Sequence, residues 1–295
     1  MSDRPDVYTR VTNKIVADLE RGNLTWLQPW QAGRHQAGPV SRPLRAGGKA
    51  YRGVNVLMLW AAAIERGYSC PLWLTYKQAA ELGGQVRKGE KGSLVVYADK
   101  FTKTGTDDKG ADVEIEIPFM KGYTVFNAEQ IDNLPGHFYV KVPAANTAIN
   151  RLETVDTFFA NTKANVQHGG NRAFYSPGRD VVQMPELQTF RDSEAFYGTL
   201  GHEIVHWTRH ESRLNRDFGQ KRFGDAAYAV EELVAEIGAA FLCADLGITP
   251  ETREDHAAYI GSWLQVLKND KRAIFTAASH AQKAADYLHS LQTQT

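Results

Sequence analysis

Apolar residues recur at helical spacing at both ends of this chain and alternate with polar ones in its middle. Val7, Val11, Ile15, Val16 and Leu19 mark an amphipathic helix over residues 6–20, closed by Gly22-Asn23, with Arg10 and Lys14 on another face. A Trp-rich turn, Trp26 to Trp30, and a Gly-, Pro- and Arg-rich loop from Gly33 to Lys49 come next. Leu57, Leu59, Trp60 and Ile64 predict a second helix, stopped by Gly67. Trp73 to Gln78 begins a third, short helix with Thr75 placed to cap it. After Gly83-Gly84 the period changes. Ser93–Phe101 and Glu114–Asn127 read as strands joined by a polar loop, Thr102–Asp112.

The turn-rich stretches Asn133–Gly136 and Pro143–Asn146 place a domain boundary near 135–150, giving domains 1–135 and 146–295. Beyond it Leu152–Phe159 predicts a helix, and Ala173–Tyr175 with Asp180–Met184 predicts a hairpin turning at Ser176-Pro177-Gly178. Phe190–Tyr197 leads into a helix through residues 198–208, and Tyr228–Leu242 is a mostly buried helix built on Leu233, Ile237, Ala240 and Phe241. Thr208–Phe223 carries Arg209, Arg213, Arg216, Lys221 and Arg222 and reads as a loop across a cleft or a solvated connection. Asp255–Leu291 predicts two helices packed on the rear domain through Trp263, Leu264, Leu267, Ile274, Phe275, Tyr287 and Leu288. The fold class is thus α+β in two domains: an N-terminal α+β domain with a small antiparallel sheet, and a mainly helical domain with a small sheet.

Charge sharpens this division. The 295 residues are formally neutral, yet residues 1–100 hold 15 Lys/Arg against 8 Asp/Glu, and residues 101–295 hold 19 against 26. A basic front and an acidic rear point to different partners. Cys70 and Cys243 fall in different domains, so no disulfide framework is expected and the chain reads as cytoplasmic. No apolar run follows Met1 and none approaches a membrane span, so a signal peptide and a membrane partner are not expected.

The rear domain carries candidate chemistry. His202-Glu203-Ile204-Val205-His206 is an H-E-x-x-H motif. Residues four apart share a helix face, so His202 and His206 can present two imidazoles to one Zn²⁺, and Glu203 is the expected general base. Leu200, Ile204, Val205 and Trp207 suit a buried helix, in which Gly198 and Gly201 would let other backbone come close. Glu232 and Glu236 share a face of the next helix. Two carboxylates on a largely apolar helix need a partner, either a metal with its histidines or a buried Arg. E-x-x-x-E downstream of H-E-x-x-H resembles the E-x-x-x-D of thermolysin-like gluzincins. Carried over by position, this implies Glu232 as third ligand and Glu236 as the residue orienting a ligand histidine, with Glu236 as ligand the alternative. Tyr175, Tyr228, His210 and His168 are candidates by type for stabilising an oxyanion. Val181–Met184 is a candidate edge strand for an extended peptide, or an ordinary sheet strand.

In the front region cations alternate with rings: Trp30, Tyr51 and Trp73, together with Trp26 and Tyr76, lie near Arg42, Arg45, Arg52, Lys77, Arg87, Lys88 and Lys91. Positive charge tracks phosphates and rings stack on unpaired bases, so these residues are candidates for binding single-stranded DNA. Rings of this kind also serve as core, the better expectation for Trp60.

Pro29-Trp30, Tyr51–Asn55, Gly67-Tyr68, Trp73-Leu74-Thr75 with Gln78, and Arg87–Gly92 resemble the N-terminal domain of ArdC-type antirestriction proteins, a domain that also occurs in plasmid conjugation primases. Phe174–Pro177, Asp180–Pro185, the H-E-x-x-H helix and Glu231–Glu236 extend the resemblance over nearly the whole chain. It implies a single-stranded-DNA-binding domain followed by a zincin-like metallopeptidase domain, and a role on conjugative plasmids in protecting incoming DNA from host restriction. A protein substrate or host restriction factor would then be a further partner. Two other readings stand beside it: a DNA-coating protein with a structural or vestigial zinc site, and a metal-dependent nuclease. Glu203 disfavours the first of these because a structural zinc needs no base. The peptidase-type motif disfavours the second.

Overall fold

A computed structural model describes residues 5–24, 26, 41–106, 112–139, 148–219, 225–248 and 256–292. Helix α1 (Val7–Glu20) begins where Asp6 accepts a hydrogen bond from the Thr9 amide at 2.9 Å. Helix α2 (Val54–Arg66) ends at Gly67, whose φ of 72° closes the last turn. Strand β2 (Leu72–Leu74) comes next, so Trp73 and Leu74 are extended rather than helical. Thr75 then caps α3 (Tyr76–Glu81) with Gln78 completing a capping box.

The front sheet runs β1-β2-β5-β4, with β1 (Leu44–Arg45) parallel to β2 and the other pairs antiparallel. Strands β4 (Ser93–Thr106) and β5 (Asp112–Asn127) form a long ribbon in register from Ser93↔Val125 to Thr106↔Asp112. Most of the expected polar loop is therefore strand. Thr102, Thr104 and Thr106 are β-branched, which favours the extended backbone found there. Strands β3 (Gln85–Val86) and β6 (Ile131–Asp132) make a separate pair over a small core of Leu74, Ala79, Val86, Ile131, Leu134 and Phe138.

The rear region holds α4 (Ala148–Asn161), α5 (Ser193–Trp207), α6 (Ala226–Leu246), α7 (His256–Asn269) and α8 (Ala273–Ser290). Its sheet runs β7-β9-β8, formed by Val166–His168, Val181–Met184 and Phe174–Ser176 respectively. The expected hairpin is present. However, Val181–Met184 is the central strand, paired on both sides with Val181, Val182 and Met184 buried, and cannot receive a substrate strand. The sheet edge nearer α5 is β8.

The expected boundary falls largely in residues 140–147, outside the described residues. On either side of it the chain shares one core. α1 packs on α7, and α2 on α8. Trp26 meets Trp263 at 5.8 Å between ring centroids, and Trp60 meets Phe241 at 6.0 Å. The Thr12 hydroxyl donates to the Lys271 carbonyl at 2.7 Å. The two terminal helices thus pack on the front region as well as on the rear one. Among the described residues no helix is long and apolar enough to cross a membrane.

Candidate metal centre

Helices α5 and α6 lie against each other at the centre of the rear region. Asp192 caps α5 by accepting from the Ala195 amide at 2.8 Å, and Asp225 caps α6 by accepting from the Tyr228 amide at 2.7 Å. Both helices are buried on nearly all sides, as apolar residues around their whole circumference require. Their close approach is made at Gly238, where a Cβ would stand 2.9 Å from both Val205 methyls. At Gly201 a Cβ would meet only ordinary contacts, so that glycine is not the one the packing needs.

The approach brings three side chains together. His202 Nε2 lies 3.2 Å from His206 Nε2, and the Glu232 oxygens lie 3.5 Å and 3.4 Å from these two nitrogens. Two bonds of about 2.0–2.1 Å meeting at the tetrahedral angle set their donor atoms about 3.3–3.4 Å apart, so the spacing fits one small tetrahedral cation. The far sides of the rings are also occupied. Glu236 Oε1 stands 3.2 Å from His202 Nδ1, and Glu231 Oε1 stands 3.0 Å from His206 Nδ1. Carboxylates on both Nδ1 atoms fix the tautomers, so the two Nε2 lone pairs face each other and the Glu232 carboxylate. Such a cluster of neutral rings and carboxylates repels itself until positive charge enters it, as a metal ion or, without one, as a proton on His206.

The electrostatics agree. Burial works against charge on His206, but Glu232 and Glu231 outweigh it and push its pKa up to about 10. Burial would raise the carboxyls too, yet the histidines hold Glu232 well below the usual range, and Arg216 with His206 holds Glu231 down to about 2. Arg216 is itself buried and donates to both Glu231 oxygens at 2.8 Å. Glu203, buried on the same helix next to His202, accepts from the Tyr175 amide of β8 at 3.0 Å. It is outside the ligating group formed by His202, His206 and Glu232, whose donor atoms all lie within 4.8 Å of one another.

Residue order along the chain did not disclose Glu231 or Arg216. The only signals were the Glu231-Glu232 doublet and a cation in a segment readable as solvated. Arg213 of the same segment is also engaged: it bonds Asp180 (Nη1–Oδ2 3.0 Å) and the Tyr175 hydroxyl, and stacks 3.9 Å from the Trp207 ring centroid. Tyr175 therefore spends its hydroxyl on Asp180, at 2.9 Å. Burial first, then Asp180, pushes its pKa up to about 12. Tyr228 is half-buried beside Glu232, with its hydroxyl 2.9 Å from that of Tyr259. Burial followed by Glu232 raises it further. His210 bonds Ser212 at 2.8 Å, and His168 is exposed beside Phe196.

The DNA-binding candidates scatter more. Trp30 lies outside the described residues. Trp73 is 1% exposed and belongs to the core, so it cannot stack on a base. Tyr51 is buried as well, with Arg45 over its ring at 5.4 Å. Arg42 is a correction of the same kind. It is buried, stacked 4.1 Å from the Phe241 ring centroid, and bonded to Asp245 (2.9 and 2.8 Å) and Gln282 (3.0 Å). A guanidinium so enclosed joins front to rear and is out of reach of phosphate. Arg52 is exposed but paired with Asp286. Arg87 is half-exposed and paired with Glu90 and Asp132. Arg45, Lys77, Lys88 and Lys91 remain on the surface.

Comparison with known proteins matches both halves. The family described as the N-terminal domain of anti-restriction factor ArdC covers residues 5–126, and the zincin-like metallopeptidase family covers residues 153–280. The protein y4eC of Sinorhizobium fredii (strain NBRC 101917 / NGR234) is 44% identical over 98% of this chain and 93% of its own. A DNA primase TraC of Escherichia coli is 38% identical over 98% of this chain, which spans 20% of the primase. The crystal structure of the antirestriction ArdC protein from plasmid R388 in its metal-free form superposes with a TM-score of 0.80. It is 47% identical, over 97% of this chain and 98% of that one. The Mn(II)-bound form gives 0.79 at 45% identity, with the same coverage.

Proposed function

This chain belongs to the family of ArdC antirestriction proteins, and from that premise we propose that it binds single-stranded DNA and hydrolyses peptide bonds at a zinc site. In doing so it would protect DNA arriving with a conjugative plasmid from host restriction. The working place is the cytoplasm, and the protein substrate is a host factor of the restriction response. We assign DNA to residues 1–135 and peptidase chemistry to residues 146–295, a division supported by the family matches over residues 5–126 and 153–280.

The observation that carries the reading is the enclosure of His202, His206 and Glu232 around one cation-sized point, with Glu203 buried on the same helix and outside the ligand set. We assign His202, His206 and Glu232 as ligands and Glu236 and Glu231 as the groups orienting the two imidazoles. Two nitrogens and one oxygen suit Zn²⁺. A bound divalent ion there would polarise a carbonyl and ease deprotonation of water. Glu203 takes the proton at its carboxylate and delivers it to the leaving amine. The Tyr175 amide keeps that carboxylate turned toward β8, so an extended peptide lying along the β8 edge would bring its scissile bond to the base. Tyr228 is the hydroxyl we assign to the developing oxyanion, because it stands beside the ligand Glu232 and its present partner is the hydroxyl of Tyr259, whereas Tyr175 is bonded to the Asp180 carboxylate and Arg213.

The test is protection in cells. Unmodified plasmid DNA is transferred by conjugation into a restricting host that produces wild type or Glu203→Ala. Protection by wild type and its loss in the variant are expected. Full protection by Glu203→Ala would replace this reading with that of a DNA-coating protein whose metal is structural. No protection by either would remove the antirestriction role.

A further inference from the structure

The turn from Arg87 to Gly92 is held more firmly than a solvated turn requires. Arg87 donates to Asp132 at 3.2 Å and to Glu90 at 2.9 Å, and the buried Gln130 amide donates to Glu90 at 2.9 Å and to the Lys91 carbonyl at 3.1 Å. Gly89 takes a φ of 88°, which the reversal needs. Arg87 and Glu90 are thus spent on holding the turn, while Lys88 and Lys91 stand exposed on it. Beside the turn is an open groove of about 600 Å³, lined by Tyr76, Gln85, Val86, Lys88 and Phe126 among others. That is room for a ligand of nucleotide size. Tyr76 is 55% exposed, edge-on to Phe126 at 6.5 Å, with its hydroxyl accepting from Gln85 at 3.4 Å. The ring is therefore oriented by neighbours on one side and open to solvent on the other.

We propose that this groove seats one unpaired nucleotide of single-stranded DNA, its base stacked on Tyr76 and its flanking phosphates met by Lys88 and Lys91. The proposal rests on the DNA-binding reading above and gives it a place. Trp73, the ring that sequence order favours, is core, whereas Tyr76 three residues later is presented to solvent. Arg87 is shared between the groove's two carboxylates, Glu90 and Asp132, so with Lys88 and Lys91 the three cations exceed the carboxylates by one charge, the sign that suits phosphate. A duplex hides its base faces and leaves the ring unused.

The test uses the full chain and a fluorescent oligothymidylate of about 15 nucleotides, near the site sizes of such binders, with anisotropy read at several salt concentrations. Tyr76→Ala should weaken binding roughly five- to a hundredfold and leave the salt slope unchanged, while Tyr76→Phe binds as wild type. Lys88→Ala with Lys91→Ala should flatten the slope by about 0.7 for each phosphate no longer neutralised. All these side chains are exposed, so Tm should stay at the wild-type value. A 5-iodouridine-substituted oligonucleotide should cross-link to Tyr76 on irradiation. If wild type binds the oligonucleotide but Tyr76→Ala binds equally well and no cross-link maps to Tyr76, the groove is not the seat and the DNA-binding reading survives. If wild type binds no single strand at any salt, that reading itself falls. Equal affinity for duplex would overturn the stacking.

Discussion

Replacing Arg216 by methionine should separate stability from metal binding. The guanidinium donates to both Glu231 oxygens at 2.8 Å, to the Thr208 hydroxyl at 3.1 Å and to the Val205 carbonyl at 3.0 Å, all buried. Arg216→Met keeps most of the apolar stem and leaves the buried Glu231 carboxylate with His206 in place of its bidentate guanidinium. Removing one partner of a buried pair costs about 3–5 kcal/mol. At about 2 °C per kcal/mol for a chain of this size, that is a Tm fall of roughly 6–10 °C. The double variant Arg216→Met with Glu231→Leu removes both charges and should recover most of the loss, since a well-packed apolar replacement of a whole pair is near neutral. Metal affinity should not recover. Glu231 stands 3.0 Å from His206 Nδ1, and losing such an orienting group weakens a site roughly ten- to a hundredfold. Calorimetric melting of the metal-free variants, followed by Zn²⁺ titration against a competing chelator, reads both quantities. A single variant as stable as the double one, or a double variant binding Zn²⁺ like wild type, would refute the argument.

Three further outcomes follow from the packing. Gly238→Ala drives a methyl to within 2.9 Å of Val205 and should cost about 1–3 kcal/mol in denaturant melts. Trp73→Ala should cost about 3–5 kcal/mol by the same measurement, and any loss of DNA affinity in it should track unfolding. Burial opposes charge on Asp245, but His289 and Arg42 together hold its pKa below the ordinary value. Its contribution to stability is therefore present above the unfolded carboxyl range and lost as pH falls through the folded value. Arg42→Met should lower Tm at neutral pH and flatten the decline on acidification.

How much was legible in the sequence depended on how far apart the partners lie along the chain. His202, Glu203 and His206 are within one helical turn, and Thr75 with Gln78 is a local cap, so residue order alone placed them. Arg42 lies 203 positions from Asp245 and Arg216 lies 15 from Glu231. No local pattern separates a buried guanidinium from a solvated one. Val181–Met184 was open to two readings because a short apolar run suits an edge or a centre. Flanking by β7, a strand with weak apolar signal, decided it. The contact of Trp26 with Trp263 and of Trp60 with Phe241 likewise joins front to rear, where composition and charge alone draw a boundary.

The central claim is that His202, His206 and Glu232 hold one zinc ion while Glu203, outside the ligand set, serves as the base. Elemental analysis of protein purified without chelator addresses it directly. About one Zn²⁺ per chain is expected in wild type and in Glu203→Ala, and none in His202→Ala, His206→Ala or Glu232→Ala, while Glu236→Ala keeps the ion with weakened affinity. Wild type without metal, or a Glu232→Ala variant that keeps zinc while Glu236→Ala loses it, would contradict the assignment.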